Sequence, residues 1–269
     1  MKHLSTQELR QTQLAILDAV DAYCREREIS YFIFAGSLIG AVRHKGYIPW
    51  DDDLDICMLR EDYERFIASF PSQGDARFQV RSMEHTPGYY LAAAKVIDTE
   101  TTLTEFVRRP IPLGVNLDIF PLDSLPEEEE EIRRLDRRLA KYRRMLILKN
   151  IKRDANRSFW KNAVLSCSAL LLLPVSRRLL LKKISAMAQC FRGDERCTNL
   201  GDISVFTYGM KEVFPKEDFS ASVPLEFEGR TVPAPTGYQR VLTRMYGDYM
   251  QLPPEDKRKT HHAFTAYRK

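Results

Sequence analysis

The chain has 269 residues, of which 44% are apolar and 29% charged; this ordinary globular composition accommodates one large domain or a core with an appended subdomain, and it excludes disorder, collagen-like repeats and coiled-coil rods. Its 41 basic and 37 acidic residues leave a net charge of only +4, too mild to name a partner, and no nucleic-acid partner is expected. Five cysteines, an odd number without a CxxC pair, exclude a disulfide framework and a zinc knuckle and point to a reducing, intracellular setting.

In chain order, Met1–Gln13 lacks the apolar run of a secretory signal. Ser5, Thr6, Gln7 and Glu8 read as a capping box, and Leu9, Ile16, Val20 and Tyr23 recur at helical spacing, so a helix is expected from about Thr6 to Arg27. Tyr31–Ala35 is a short buried strand stopped by Gly36-Ser37. Leu38–Val42 starts a second short helix, and Arg43–Trp50 forms a loop. Asp53-Leu54-Asp55-Ile56 alternates polar and apolar, as a strand with one buried face does. Glu61–Phe70 is an amphipathic helix ended by Pro71, and Phe78–Met83, Tyr89–Ile97, Thr101–Val107 and Val115–Phe120 read as further strands. This order predicts an α/β or α+β fold, taken as α+β, with a mixed sheet flanked by helices, over 1–126.

Composition changes after Pro126. Five consecutive glutamates, Glu127–Glu131, precede a stretch from Arg133 to Lys161 with twelve Lys or Arg and two Asp, a distribution that suits the macrodipole of one long helix. The apolar run Ala163–Val175, about thirteen residues, falls short of the roughly twenty a membrane span needs, so no integral membrane segment is expected. Residues 127–192 thus form a helical basic and apolar region. The mixed region 193–269 holds a hairpin signal at Phe227–Arg230 and a helix from about Gly237 to Tyr246.

Chemistry concentrates in Phe34–Ser37 and Asp51–Asp55. On a strand, residues i and i+2 share a face about 6–7 Å apart, so Asp53 and Asp55 project together while Leu54 and Ile56 anchor the other face. Paired carboxylates with open positions suit Mg²⁺ with substrate phosphates. Asp118, between Leu117 and Ile119, offers a third acid if its strand lies beside the first. Gly36-Ser37, at a strand-to-helix turn, offers N–H groups and a hydroxyl to a phosphate. A solvated acidic loop or a calcium site is the alternative. The spacing of Asp51, Asp53 and Asp55 imitates an EF-hand, but the sixth position is Ile56 and the twelfth Asp62.

The block Gly36–Ile56 closely resembles the signature of the LicD family, bacterial phosphocholine transferases with fukutin-like relatives. The likeness continues through Lys95–Asp98, Asn116–Asp123, Tyr246–Tyr249 and His261-His262. The resemblance implies a nucleotidyltransferase-type fold and a Mg²⁺-dependent reaction, with Mn²⁺ as the alternative ion. In that reaction CDP-choline or another CDP-alcohol gives its phospho-alcohol to a glycan hydroxyl and CMP leaves. It maps the metal to Asp53, Asp55 and Asp118 and the phosphate turn to Gly36 and Ser37. The gap from Ser37 to Asp53 is longer than in the commonest nucleotidyltransferases.

Arg43 and Lys45 are candidate diphosphate contacts against a solvated basic loop, and Lys95, inside an apolar strand, is a third against snorkelling at a sheet edge. His261 and His262 offer a general base or a phosphate contact against surface histidines, and His262 stands among the catalytic candidates with Asp53, Asp55 and Asp118. A quaternary ammonium would want an aromatic box, for which only Trp50 is suspected. The basic stretch with its apolar neighbour either rests on an anionic membrane or forms a solvated face over a core helix; a cytoplasmic enzyme, at the inner face of the membrane in the first case, is expected. The acceptor is then a glycan or lipid-linked glycan of the cell surface. The competing readings are a DxD glycosyltransferase and a non-catalytic membrane-surface adaptor.

Overall fold

A computed structural model describes residues 1–105, 107–152, 158–258, 260 and 264–269. The chain opens with β1 (Lys2–His3) and α1 (Thr6–Glu26). The Ser5 hydroxyl accepts the Glu8 N–H at 3.2 Å and the Glu8 carboxylate accepts the Ser5 N–H at 2.9 Å, closing the capping box. Leu9, Ile16, Leu17, Val20 and Cys24 then bury one face of α1. There follow β2 (Phe32–Ile33), α2 (Ala35–His44), β3 (Asp55–Leu59), α3 (Arg60–Ser69), β4 (Phe78–Arg81), β5 (Ala94–Asp98), β6 (Thr101–Glu105) and β7 (Asn116–Leu125).

The central sheet runs β2-β3-β7-β5-β4. Within it β3 and β7 are parallel and the other neighbours antiparallel, giving the mixed sheet of an α+β fold. Two expected strands shift. The first acidic strand begins at Asp55, so Asp53 precedes it, and the one expected over Tyr89–Ile97 pairs only from Ala94. Tyr89 and Tyr90 are apolar enough to read as strand, but they are buried outside the ladder.

The long helix expected through Arg133–Lys161 is two. α4 (Glu129–Asn150) ends at Ile151, whose extended backbone bridges to Val107, and α5 spans Phe159–Leu171. α6 (Arg177–Ala188) packs against α4 around Ile132, Leu135, Leu139, Leu180, Leu181 and Ile184, so the helical region has its own apolar cluster.

The remaining elements are β8 (Asn199–Gly201), β9 (Val213–Pro215), β10 (Ser222–Phe227), β11 (Arg230–Pro235), α7 (Tyr238–Tyr246) and β12 (Phe264–Arg268). β10 and β11 form the predicted hairpin, with Glu228 (φ 50°) and Gly229 (φ 72°) supplying the two positive-φ positions of a tight turn. This last third is built into the first. β8 extends β7, β12 joins β1 and β6, and Phe214, Phe227, Val241 and Leu242 share a core with Ile16, Leu38, Ile56 and Ile119.

Candidate active site

After β2, the Phe34 N–H still pairs with the Asp55 carbonyl at 3.0 Å, and the chain then turns sharply at Ala35 (φ 48°) into α2. No side chain caps the start of this helix, so its first N–H groups are not consumed from within. A Cβ on Gly36 would sit 2.9 Å from the Asp51 carboxylate, so a side chain here would push that acid away from the helix start. The acidic loop is held from α1: the Arg10 guanidinium donates to the Ile48, Pro49 and Asp51 carbonyls, and the Gln13 amide donates to the Asp52 carbonyl at 2.9 Å. Nothing in local sequence pattern marks Arg10 and Gln13, which lie about forty positions upstream of the loop they support.

Parallel pairing sets Asp55 of β3 directly opposite Asp118 of β7, and antiparallel pairing sets Asp118 opposite Lys95 of β5. Residues in register across neighbouring strands share a face about 5 Å apart, so an Asp–Asp–Lys row crosses the sheet. The Lys95 ammonium lies 2.6 and 2.8 Å from the two Asp118 oxygens and 3.1 Å from the Asn116 amide oxygen. Lys95 is therefore engaged with Asp118, not aimed alone into the cleft as a phosphate ligand.

Asp53, Asp55 and Asp118 line one wall of a cleft of about 710 Å³, with Gly36 and Arg43 beside them. Asp55 is only 7% exposed. Burial, then the charges of Asp53, Asp118 and Asp51, push its carboxyl well above the usual carboxylate range, while Lys95 pulls the other way. Among the described residues, the three acids whose ligating oxygens lie within 4.8 Å of one another are Asp51, Asp52 and Asp53. The tightest convergence thus falls on the loop before β3, while Asp55 and Asp118 stand one step deeper. An all-oxygen set of this kind suits a hard divalent cation.

Other predicted site residues land differently. Ser37 is buried, and its hydroxyl accepts the Asp55 N–H at 2.9 Å; it fixes the β3 start and does not line the cleft. Helical periodicity explains this, since Ser37 and Leu38 turn into the core while Gly36 and Ile39 face the cavity. Arg43 lines the cleft and donates to the Tyr249 carbonyl at 2.7 Å and the Gln251 carbonyl at 3.3 Å, tying the segment after α7 to α2. Lys45 lies at the end of α2 (φ 57°), 3.2 Å from Glu226 and off the cleft lining, so it is not placed as a diphosphate contact. His261 and His262 lie outside the described residues. Two acids of the recognised motifs are scaffold: Asp123 takes a two-pronged ion pair from Arg60 at 2.7 Å, and Asp98 one from Arg77 at 2.8 Å.

Of the opposite wall, the sequence singled out only the stretch Tyr246–Tyr249, through the resemblance, and gave it no role. This wall contains Asp202, Tyr208, Glu212, Tyr246, Asp248 and Tyr249. The rings of Tyr208 and Tyr246 meet edge to face with centroids 5.4 Å apart. Glu212, 4% exposed, accepts the Tyr208 N–H at 3.1 Å, and burial pushes its carboxyl from 4.5 up to about 7. Asp202 is raised well above the usual range by burial and by Glu212. The available signal was an acid set among apolar residues, Leu200-Gly201-Asp202-Ile203 and Met210-Lys211-Glu212-Val213. Over Trp50 lies the Arg258 guanidinium, 5.6 Å from the ring, and the Thr260 hydroxyl donates to the Trp50 carbonyl at 3.2 Å.

A mixed sheet carries acids at the starts of two parallel strands, and these face an uncapped helix start that follows the preceding strand. Residues 28–127 match the family model described as LicD/FKTN/FKRP, nucleotidyltransferase domain. Over 273 aligned positions the chain is 34% identical to the lipopolysaccharide cholinephosphotransferase LicD of Haemophilus influenzae, covering 99% of each chain. An uncharacterized protein of Rickettsia typhi is 36% identical over 73 residues, covering 27% of this chain and 23% of that one. The chain belongs to the LicD family.

Proposed function

We propose that this protein is a phosphotransferase that moves phosphocholine, or a similar phospho-alcohol, from a CDP-activated donor to a hydroxyl of a cell-surface glycan and releases CMP. The observation that carries the reading is the register pairing of Asp55 with Asp118 on the floor of a cleft that also receives Asp51, Asp53 and the start of α2. The full-length likeness to a lipopolysaccharide cholinephosphotransferase supports phosphocholine as the group and a lipopolysaccharide-type glycan as the acceptor.

In the transfer, the bond from the donor phosphorus to the CMP oxygen breaks, a bond to the acceptor oxygen forms, and the hydroxyl proton is released. Mg²⁺ or Mn²⁺ bound by Asp53 and Asp55, with Asp51 or Asp118, would neutralise charge on the diphosphate. The N–H groups at Ala35 and Gly36 take a phosphate oxygen at the positive end of α2. Arg43 adds a fixed positive charge at the cleft wall. Lys95 holds the Asp118 carboxylate in place, which leaves that oxygen pair to orient the acceptor hydroxyl. Glu212, poised near 7, is matched to accept a proton at neutral pH. Tyr208 and Tyr246 offer ring faces to a quaternary ammonium.

The test is to incubate the purified chain and a glycan acceptor with CDP-choline, CDP-ribitol or CDP-glycerol, with Mg²⁺ or with chelator, and to read the nucleotide by mass. CMP formed only with the ion, and fastest from CDP-choline, is the expected result. No CMP from any CDP-alcohol, with a nucleoside diphosphate released when a nucleotide sugar is supplied instead, would turn the assignment to a glycosyltransferase.

A further inference from the structure

Large apolar side chains crowd the surface of α5 and the turn after it. Phe159 and Trp160 are 76% and 77% exposed and meet edge to face with ring centroids 5.6 Å apart. Leu171 is 78% exposed, and Val164, Leu170 and Leu173 are exposed with it. A concentration of this kind marks an interaction surface, because water is a poor solvent for it. No described helix is long and apolar enough to cross a membrane.

Beside this apron, the end of α4, the strand-like segment after β6 and the start of α6 enclose a cavity of about 530 Å³. Arg108, Arg109, Lys149, Arg177 and Arg178 line it, and so does Leu173 of the apron. Among the described residues none of these five cations has a carboxylate partner, whereas Arg133, Arg137 and Arg143 of α4 are paired with Glu129, Glu130 and Asp136. The segment is fixed, since the Arg108 N–H donates to the Asn150 carbonyl at 2.8 Å and Arg177 donates to the Gly88 and Arg109 carbonyls. One Arg177 guanidinium nitrogen is buried without a hydrogen-bond partner. The cations also repel one another: burial, then Arg109, Arg177 and Arg108, lower the Lys149 pKa. Among the described residues no carboxylate compensates these five like charges, so an anion from outside the chain suits them.

We infer that this end of the molecule is a docking surface for a bilayer bearing anionic phospholipids, with the α5 apron entering the headgroup layer and the five-cation basin holding lipid phosphates. Aromatic and leucine side chains at the interface and basic residues beside them are the two contributions that hold a peripheral protein on such a surface. Charge complementarity selects the occupant, since a second copy of this chain would bring a second set of cations to the same place. The surface also leads to the catalytic floor. A mostly apolar groove of about 530 Å³ opens at Ile147 and Ile151 of the α4 end and reaches Phe120 and Asp118. An amphiphilic acceptor anchored in the same bilayer would present its hydroxyl along this path; that link rests on the proposed reaction, while the docking itself does not.

Co-sedimentation of the full chain with vesicles tests the docking. Vesicles of phosphatidylcholine mixed with an equal part of phosphatidylglycerol should carry the protein down at low salt and release it as salt rises, and pure phosphatidylcholine should bind far less. Replacing both Arg109→Ala and Arg178→Ala should weaken binding about thirty-fold, from roughly fivefold per basic residue at an anionic surface. Trp160→Ser should weaken binding on every vesicle, and the paired Arg133→Ala/Arg137→Ala variant should bind as the parent does. Urea unfolding of each variant serves as the fold control, which keeps this inference separate from the reaction. Equal binding by the Arg109/Arg178 variant, no binding at low salt, or a Trp160→Ser effect confined to the oligomeric state would each overturn it.

Discussion

Glu212 offers a perturbation whose size follows from the structure. Its carboxyl is buried against the Tyr208 backbone, and its pKa rises from 4.5 to about 7 on folding. Between those two values the folded chain keeps a proton that the unfolded chain has released, so stability falls as pH rises through this window. Each pKa unit is worth about 1.4 kcal/mol, so ionising Glu212 in the fold costs about 3 kcal/mol by pH 8. Glu212→Gln keeps the shape and still accepts the Tyr208 N–H but has no charge to bury. Measured by urea unfolding in the presence of chelator, the variant should match the parent near pH 4.5 and gain on it steadily up to about 3 kcal/mol at pH 8. Taking the difference between variant and parent at each pH removes the contribution of Asp55, which is also raised, while Asp202, raised in part by Glu212, relaxes in the variant and adds to the gain in the same direction. A difference that is constant with pH, or one that shrinks as pH rises, would refute the argument that burial holds this carboxyl near neutrality. In turnover, an inflection near pH 7 in the parent should vanish in Glu212→Gln if the same group takes the acceptor proton.

Asp55→Asn should cut CMP release by about a thousand-fold or more, because a floor ligand to the diphosphate's counter-ion is lost, while urea unfolding shows a fold at least as stable; full activity would remove Asp55 from the site. Ser37→Ala withdraws the acceptor of the Asp55 N–H and should cost about 1–3 kcal/mol of stability. Its activity should fall through misplacement of Asp55 and not through lost phosphate contact, so KM for the donor should change less than kcat; a large rise in KM alone would return the Ser37 hydroxyl to the substrate.

Much of the site was legible because it is local. The alternation Asp53-Leu54-Asp55-Ile56 and the pattern Leu117-Asp118-Ile119 each declare a strand with an acid on one face, and Gly36 marks the turn between strand and helix. Lys95 was legible as an odd cation in an apolar strand, but not its partner: that depends on β5 lying antiparallel to β7 in one particular register, and a slip of one residue would send it to the other face. Ser37 and Lys45 went the other way. Both lie in a basic, glycine-rich segment of the right chemistry, yet helical phase turns one into the core, and the end of α2 carries the other to Glu226.

The α4 region shows the same division. Its charge pattern announced a basic helix, but Arg133 and Arg137, near its start, are paired with glutamates on the same helix. The uncompensated cations are gathered from three separate segments, around Arg108, Lys149 and Arg177. Likewise Glu212 and Tyr246 reach the cleft only because β8 extends β7 and α7 packs into the shared core.

By itself, then, the chain's order of residues determined the capping of its first helix, the acids at its strand starts, the hairpin and the family to which it belongs, since each of these is written in spacings of a few residues. Only the tertiary structure decided which acid faces which, what Lys95 holds, and which carboxylates and tyrosines form the far wall of the cleft. Those contacts join segments tens to more than a hundred residues apart, and their formation depends on strand register and core packing, which no short stretch of sequence encodes.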